Sequence, residues 1–355
     1  MAGPTKHLTK EKNNGIHQEK KRNFLRRIHL RKRERRKKQR WETFKTYAEA
    51  HKRRAEIEYK QTEGTFLPPN KQTVADVLKD YVALYGEKTW SYSTFNSNCS
   101  MIANYIVPII GNKEMKEITP READKYIKTL QKTQPVEVGG RRRQTEYMTP
   151  ANIERVIKLL RSAFKQAVRW EVIARNPFDF VTLPKVEKKS REIWTAETIR
   201  KALDSCKDAK LFVAMNLAFA CSLRVGEILG LTWNNVSISD EDIAKDNASV
   251  YVDKELFRAS KDVMDTLGNR DIRFVFPPVM SNPKTRLILK TPKTATSVRR
   301  VWLPKTLAYI LREWRDTQQK QKNLSGMSIS TMTLLLRTIT GVPVTAKILK
   351  KASTD

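Results

Sequence analysis

The segment Leu211-Phe212-Val213-Ala214-Met215-Asn216-Leu217-Ala218-Phe219 is apolar almost throughout and predicts a buried helix. Arg224 enters the chain just beyond it. Val225, Ile228, Leu229 and Leu231 then return to apolar residues at helical spacing. An arginine bracketed by core-forming residues restricts the fold severely, because burying a guanidinium without a partner is costly. Two solutions remain. Either Arg224 pairs internally with Glu227, one turn on, or it stands in a cleft facing an anionic ligand. Taken alone, the stretch favours the internal pair.

The bulk composition bears on that choice. The 355 residues are enough for two or three domains at about 100–200 residues each. They carry 69 Lys and Arg against 38 Asp and Glu, a net charge of +31. An excess of this size implies a polyanionic partner, most simply nucleic acid, with an anionic membrane surface as the rival. No apolar run reaches the roughly 18 residues of a membrane span, and no signal peptide is evident. Cys99, Cys206 and Cys221 are too scattered for a disulfide framework or a zinc site. Cys99 and Cys221 sit in apolar helical patterns and are expected to be buried thiols, which fits a reducing cytoplasm. All four histidines lie at or before His51.

The charge is concentrated at the start. Residues 1–60 hold 21 Lys and Arg against 7 Asp and Glu, and eight of the ten residues from Arg31 to Arg40 are basic. Residues 1–20 lack periodicity and are expected to be a disordered basic tail. Phe24, Ile28 and Leu30, then Trp41, Phe44 and Tyr47, suggest two short strands around a basic turn, followed by a helix ending near Gly64. This region, 21–66, reads as a small DNA-binding arm that tracks phosphates through Arg31, Lys32, Arg33, Arg35, Arg36, Lys37 and Lys38. A solvated tail or a targeting signal is the alternative.

Residues 72–178 read as purely helical. Thr73 caps a helix with Val74, Val77, Leu78, Tyr81 and Val82 on its apolar face and Asp76 at the capping-box position. A second helix runs from about Tyr92 to Tyr105 and stops at Pro108. Thr119-Pro120 and Thr149-Pro150 open the third and fourth, each an N-cap followed by proline at the first helical position. Between these two lies a basic loop containing Arg141, Arg142 and Arg143. A charged linker ends the region at 179–191.

From residue 192 the texture becomes mixed α/β. Strands are expected around Ser249–Val252, Leu287–Lys290 and Val298–Leu303, with Thr291–Ser297 as the turn between the last two. A closing helix follows at Leu307–Gln319, and Asp240-Glu241-Asp242 reads as an exposed turn. Lys293 sits on the expected turn. It and Arg224 could converge on one phosphate, the arginine through its planar fork and the lysine as a point charge or proton donor. No acidic cluster has ligand spacing, so a metal-dependent site is not expected.

The motifs then become specific. Ser222-Leu223-Arg224-Val225-Gly226-Glu227-Ile228-Leu229-Gly230-Leu231 resembles the first arginine box of the tyrosine recombinases, the phage and conjugative-transposon integrases. Thr291-Pro292-Lys293-Thr294 with Ser297, Arg299 and Arg300 resembles that family's β-hairpin, whose lysine is catalytic. Ile106-Val107-Pro108-Ile109-Ile110-Gly111 and Asn176-Pro177 resemble its helical core-binding domain, and Trp41-Glu42-Thr43-Phe44-Lys45-Thr46 its arm-binding domain.

The resemblance implies a multidomain chain. Its parts would be a basic β-type arm-binding N-terminus, an all-α SAM-like core-binding domain at 72–178, and a mixed, mainly α catalytic domain at 192–355. It further implies site-specific recombination and integration of double-stranded DNA at attachment sites, through a 3′-phosphotyrosine and without cofactor. Four protomers would form the synapse. Arg224 would clamp the non-bridging oxygens, Glu227 would support it, Lys293 would protonate the departing 5′ oxygen, and Arg299 and Arg300 would contact DNA.

The sequence departs from the family at its end. The family continues with a His-x-x-Arg box and a nucleophilic tyrosine, whereas no histidine follows His51 and the last tyrosine is Tyr309. Tyr309 reads as a core aromatic, so no nucleophile is assigned and the catalytic domain is expected to be incomplete. The composition of Ser325–Thr338 is unusual beside its neighbours, which raises a truncated or frameshifted gene. The alternatives are a non-catalytic DNA-binding remnant that occupies attachment sites and a basic RNA-binding protein.

Overall fold

A computed structural model describes residues 16–18, 24–30, 38–62, 72–137, 145–186, 192–278, 283–325, 334–337 and 343–352. Strands β1 (Ile16–Gln18), β2 (Phe24–Leu30) and β3 (Lys38–Phe44) precede helix α1 (Tyr47–Thr62). Helices α2 (Val74–Tyr81), α3 (Glu87–Thr89), α4 (Tyr92–Met101), α5 (Val107–Ile110), α6 (Pro120–Gln131) and α7 (Pro150–Arg169) follow. After them come α8 (Ala196–Ser205), α9 (Ala209–Cys221) and α10 (Val225–Gly230). The mixed region continues with β4 (Val236–Ser237), α11 (Asp240–Ala244), β5 (Ser249–Val252), β6 (Glu255–Ser260), α12 (Lys261–Thr266) and β7 (Ile272–Val275). It closes with β8 (Thr285–Lys290), β9 (Arg299–Trp302), α13 (Lys305–Ser325) and α14 (Ala346–Ala352). Two compact units result: Met1–Tyr81 with Met101–Val186, and Val82–Ser100 with Glu187–Asp355. Among the described residues no helix is long and apolar enough to cross a membrane.

In the first unit β1, β2 and β3 form an antiparallel sheet. Ile16 pairs with Arg26, and Phe24 with Phe44. The pairing of Ile16–Gln18 corrects the expectation of a disordered stretch through residue 20, because a three-residue strand is too short to show a period of two. Tyr47 opens α1 instead of extending a strand. The helix starts were legible. Thr119 accepts from the Glu122 amide and Thr149 from the Asn152 amide, while Thr73 and Asp76 cap each other reciprocally. Val74, Val77, Leu78 and Tyr81 are buried as the periodicity requires, and so are Ile153, Ile157, Leu160, Phe164 and Ala167 of α7.

Pro108 does not stop its helix. A π-helical turn over Ile102–Ile106 precedes it, and the path runs on through α5 to Ile110. Proline lacks an N–H and its ring crowds the carbonyl four residues back, and a wider turn at that place accommodates both defects.

In the second unit Thr195 and Asp208 cap α8 and α9 through the Thr198 and Leu211 amides. Val213, Leu217, Ile228, Leu229, Val250 and Leu289 belong to one core with Leu307, Leu311 and Trp314 of α13. Cys221 is buried there, whereas Cys99 is only partly so. Asp240-Glu241-Asp242 forms the first turn of α11, with Ser239 and Asp242 as a reciprocal cap.

The strands form two antiparallel sheets, β4-β5-β9 and β6-β8-β7. β8 pairs with β6 and β7, and β9 pairs with β5, so Thr291–Ser297 links two sheets and does not close a hairpin. The β6-α12-β7 excursion supplies partners for β8 that its position next to β9 in sequence conceals. The chain end is also structural. Leu334, Leu335, Leu336 and Val344 are fully buried, and Leu335 bonds the Leu231 carbonyl at 2.9 Å. The residues 334–336 and 344 are therefore built into the core despite their unusual composition.

Gly230 shows how tightly α10 lies on β6. A Cβ there would meet Leu256 N at 2.8 Å and Glu255 Cα at 2.9 Å, both backbone, whereas one at Gly226 would make only contacts of 3.5 Å and longer. Gly230→Ala is expected to destabilise by about 1–3 kcal/mol through overpacking. Gly226→Ala should be tolerated, because its better helix propensity meets no clash. Urea denaturation of the two variants side by side checks the contrast.

Candidate phosphate-binding site

α9 ends at Ser222, whose left-handed backbone (φ 51°) turns the chain, and Arg224 becomes the N-cap of α10. Glu227 sits three residues into that helix and its side chain is 1% exposed. One carboxylate oxygen, Oε2, accepts from the Arg224 backbone N–H at 3.0 Å and from Arg299 Nη2 at 3.0 Å. The other, Oε1, accepts from Arg224 Nη1 at 2.8 Å and Arg299 Nη1 at 3.3 Å. Four donors thus fill the acceptor capacity of one carboxylate. Burial pushes the Glu227 carboxyl up, but the bonds from Arg299 and Arg224 outweigh it and hold the group below its ordinary value.

Arg224 is consequently both paired and presented. Its side chain is 70% exposed, against 31% for Arg299. One Nη1–H is used on Glu227 and, among the described residues, the remaining guanidinium N–H groups have no partner. An outward planar fork carrying a full charge suits a phosphate or carboxylate.

Lys293 lies on the Thr291–Ser297 connection and is exposed, and among the described residues its ammonium makes no bond. Both ends of the connection are anchored. At one end the Thr291 N–H donates to the Asp271 carbonyl at 2.9 Å, and Arg273 Nε donates to Thr291 Oγ1 at 3.3 Å. At the other, Ser297 N–H donates to the Thr294 carbonyl, and Arg299 Nη1 donates to the Ser297 carbonyl, both at 3.0 Å. A continuous chain of bonds therefore runs from Arg224 through Glu227 and Arg299 to the segment bearing Lys293.

The other sequence candidates lie apart. Arg300 is one residue along β9 and so on its opposite face. There it donates to Ser249 Oγ at 3.0 Å and stacks over Trp302 at 5.9 Å. Arg31, Lys32, Arg33, Arg35, Arg36, Lys37, Arg141, Arg142 and Arg143 fall outside the described residues, and Lys38 begins β3. Sequence reasoning passed over Lys290, three residues before Lys293. Lys290 is buried, paired with Glu255 and placed 5.6 Å from the centre of the Phe257 ring. Its charge is spent inside the fold, which leaves Lys293 as the available cation.

A cavity beside α10, about 600 Å³, is lined mainly by apolar groups including Val225, Leu229, Leu256 and Phe257. That lining does not suit an anion. No group of three or more His, Cys, Asp or Glu among the described residues is arranged to hold a metal.

Residues 73–131 match the family profile described as phage integrase, N-terminal SAM-like domain. The ICEBs1 integrase of Bacillus subtilis is 25% identical over 229 residues, which cover 64% of this chain and 50% of that protein. A XerC-like tyrosine recombinase of Caldanaerobacter subterraneus is 28% identical over 180 residues, 49% of this chain and 40% of the relative. The chain is thus similar to tyrosine recombinases and phage-type integrases. It spans half or less of the length of these two relatives. Its fold is that of the Tn1549 transposon integrase, solved in complex with transposon right end DNA. The TM-score is 0.56 at 15% identity, covering 78% of this chain and 75% of that one. The integrase-type fold here is mostly helical with small sheets.

Proposed function

We propose that this chain is a tyrosine recombinase that binds double-stranded attachment-site DNA in the cytoplasm and clamps one phosphate between Arg224 and Lys293, as in site-specific integration. The observation that carries the reading is the saturated Glu227 carboxylate, which fixes Arg224 by one edge and leaves the other edge facing outward. In strand cleavage a tyrosine oxygen attacks the phosphorus and the 5′ oxygen departs. Arg224 stabilises charge on the non-bridging oxygens, and Lys293, free and exposed, delivers the proton to the leaving oxygen. Glu227 positions Arg224 and touches no substrate. The β1–β3 sheet with its basic segment serves as the arm-binding part, the helices of residues 72–178 as the core-binding part, and residues 192–355 as a partial catalytic domain. Four protomers assemble on DNA when a full-length enzyme acts.

The nucleophile is the element without a candidate. Tyr309, the last tyrosine of the sequence, is not the core aromatic expected: it is exposed on α13, with the Arg312 guanidinium 5.0 Å from its ring. Residues 1–355, taken by themselves, are therefore assigned binding without cleavage. Incubation with a nicked suicide duplex, which traps any phosphotyrosine, should give salt-dependent binding and no covalent adduct. An adduct would overturn the binding-only assignment. Arg224→Gln should weaken binding about tenfold or more, the worth of a hydrogen bond to a charged group. Its thermal midpoint should fall less than that of an Arg299 variant, because Arg224 gives the buried Glu227 carboxylate one side-chain bond and Arg299 gives it two.

A further inference from the structure

We propose that Arg299 is a positioning residue: it makes no DNA contact of its own, and instead locks Arg224 and the Lys293 segment into one rigid unit. The inference rests on the phosphate-clamp reading and deepens it. Arg299 is the only residue bonded to both halves of the site among the described residues, through Glu227 on one side and the Ser297 carbonyl on the other.

Its geometry suits that task and leaves little for DNA. The guanidinium meets Glu227 as a fork, with Nη1 and Nη2 on different carboxylate oxygens. Arg299 lies opposite Val252 in the β5–β9 register, on the sheet face directed at the core, and its side chain is less than half as exposed as that of Arg224. Ser297 ends a short 3₁₀ turn that is also held by Val298 N–H to the Ala295 carbonyl at 3.1 Å and by the Thr294 and Ser297 hydroxyls at 2.9 Å. Fixing the Ser297 carbonyl therefore fixes a compact turn that begins one residue after Lys293.

Acceptor stoichiometry gives the consequence. Without Arg299, two of the four acceptor positions of Glu227 fall open in a buried place. The guanidinium of Arg224, already bonded to one of the two oxygens, can fill them. It would turn inward to chelate both oxygens, and its outward edge would be lost to the ligand. The Lys293 turn would lose its second anchor in the same event.

The test uses the full chain and a duplex that the chain itself selects from a random-sequence pool. Each phosphate is replaced in turn by a neutral methylphosphonate, and affinity is measured for wild type, Arg224→Gln, Arg299→Gln, Arg299→Lys and the Arg224→Gln/Arg299→Gln double variant. In wild type one phosphate should be sensitive by about tenfold or more, and Arg224→Gln should make it indifferent. Arg299→Gln and Arg299→Lys should erase the same sensitivity, and the double variant should match Arg224→Gln with no additional loss. Arg299→Lys keeps the charge but not the fork, so it carries the test if the glutamine variant does not fold. Retained sensitivity in a folded Arg299 variant would overturn the proposal, as would an additive loss at a second phosphate in the double variant. If Arg224→Gln leaves the map unchanged, the clamp reading fails as well.

Discussion

Glu227→Ala is expected to destabilise the protein by about 3–5 kcal/mol, because it leaves the partly buried Arg299 without its carboxylate. It also removes the side chain that caps the start of α10. Binding should fall with it, as Arg224 loses its anchor. The pH dependence follows from the lowered Glu227 value. A carboxyl depressed on folding contributes stability that is fully present above its unfolded value and disappears as pH falls through the folded one. The wild-type advantage over Glu227→Gln should therefore be largest at neutral pH and shrink in acid. Urea denaturation of both proteins across that range measures it, and an advantage that does not change with pH would remove the carboxylate from the account.

Leu335→Ala should cost about 2–5 kcal/mol, the usual range for truncating a fully buried leucine. The position is held from three sides. Its N–H donates to Leu231, and its carbonyl accepts from Trp314 Nε1 at 2.9 Å and Gln318 Nε2 at 2.8 Å. Leu231 directly follows α10, so the effect should reach the Arg224 site as well as global stability. Denaturation midpoints and DNA affinity of the same variant report the two consequences. A loss well under 1 kcal/mol would show that the 334–336 segment is dispensable to the core.

Local chemistry was the part of the fold that the sequence made legible. Thr73, Thr119, Thr149 and Thr195 cap their helices through groups three residues away, within reach of any reading of the chain. The Arg224–Glu227 pair was visible for the same reason, and the apolar residues around it marked the pair as unusual. What was hidden depends on pairing between distant segments. Arg299 and Arg300 are chemically identical neighbours, and only the register of β9 on β5 decides which of them reaches Glu227, 72 residues away. Lys290 and Lys293 share one short segment, and only the pairing of β8 with β6 puts the first of them against Glu255. Leu334–Leu336 has neither a strand nor a helix period, so its role in the core leaves no pattern to read.

The two initial readings of Arg224, internal pair or anion contact, turn out not to be exclusive. A carboxylate shared by two arginines satisfies one edge of Arg224 and still leaves excess positive charge facing outward. The most direct measurement is a crystal structure of the chain on a duplex that it has selected. The account predicts guanidinium nitrogens of Arg224 about 2.9 Å from the non-bridging oxygens of one phosphate, the Lys293 ammonium beside the 5′ oxygen of that same phosphate, and Arg299 still on Glu227. Arg224 left in solvent, or Arg224 and Lys293 on different phosphates, would contradict it.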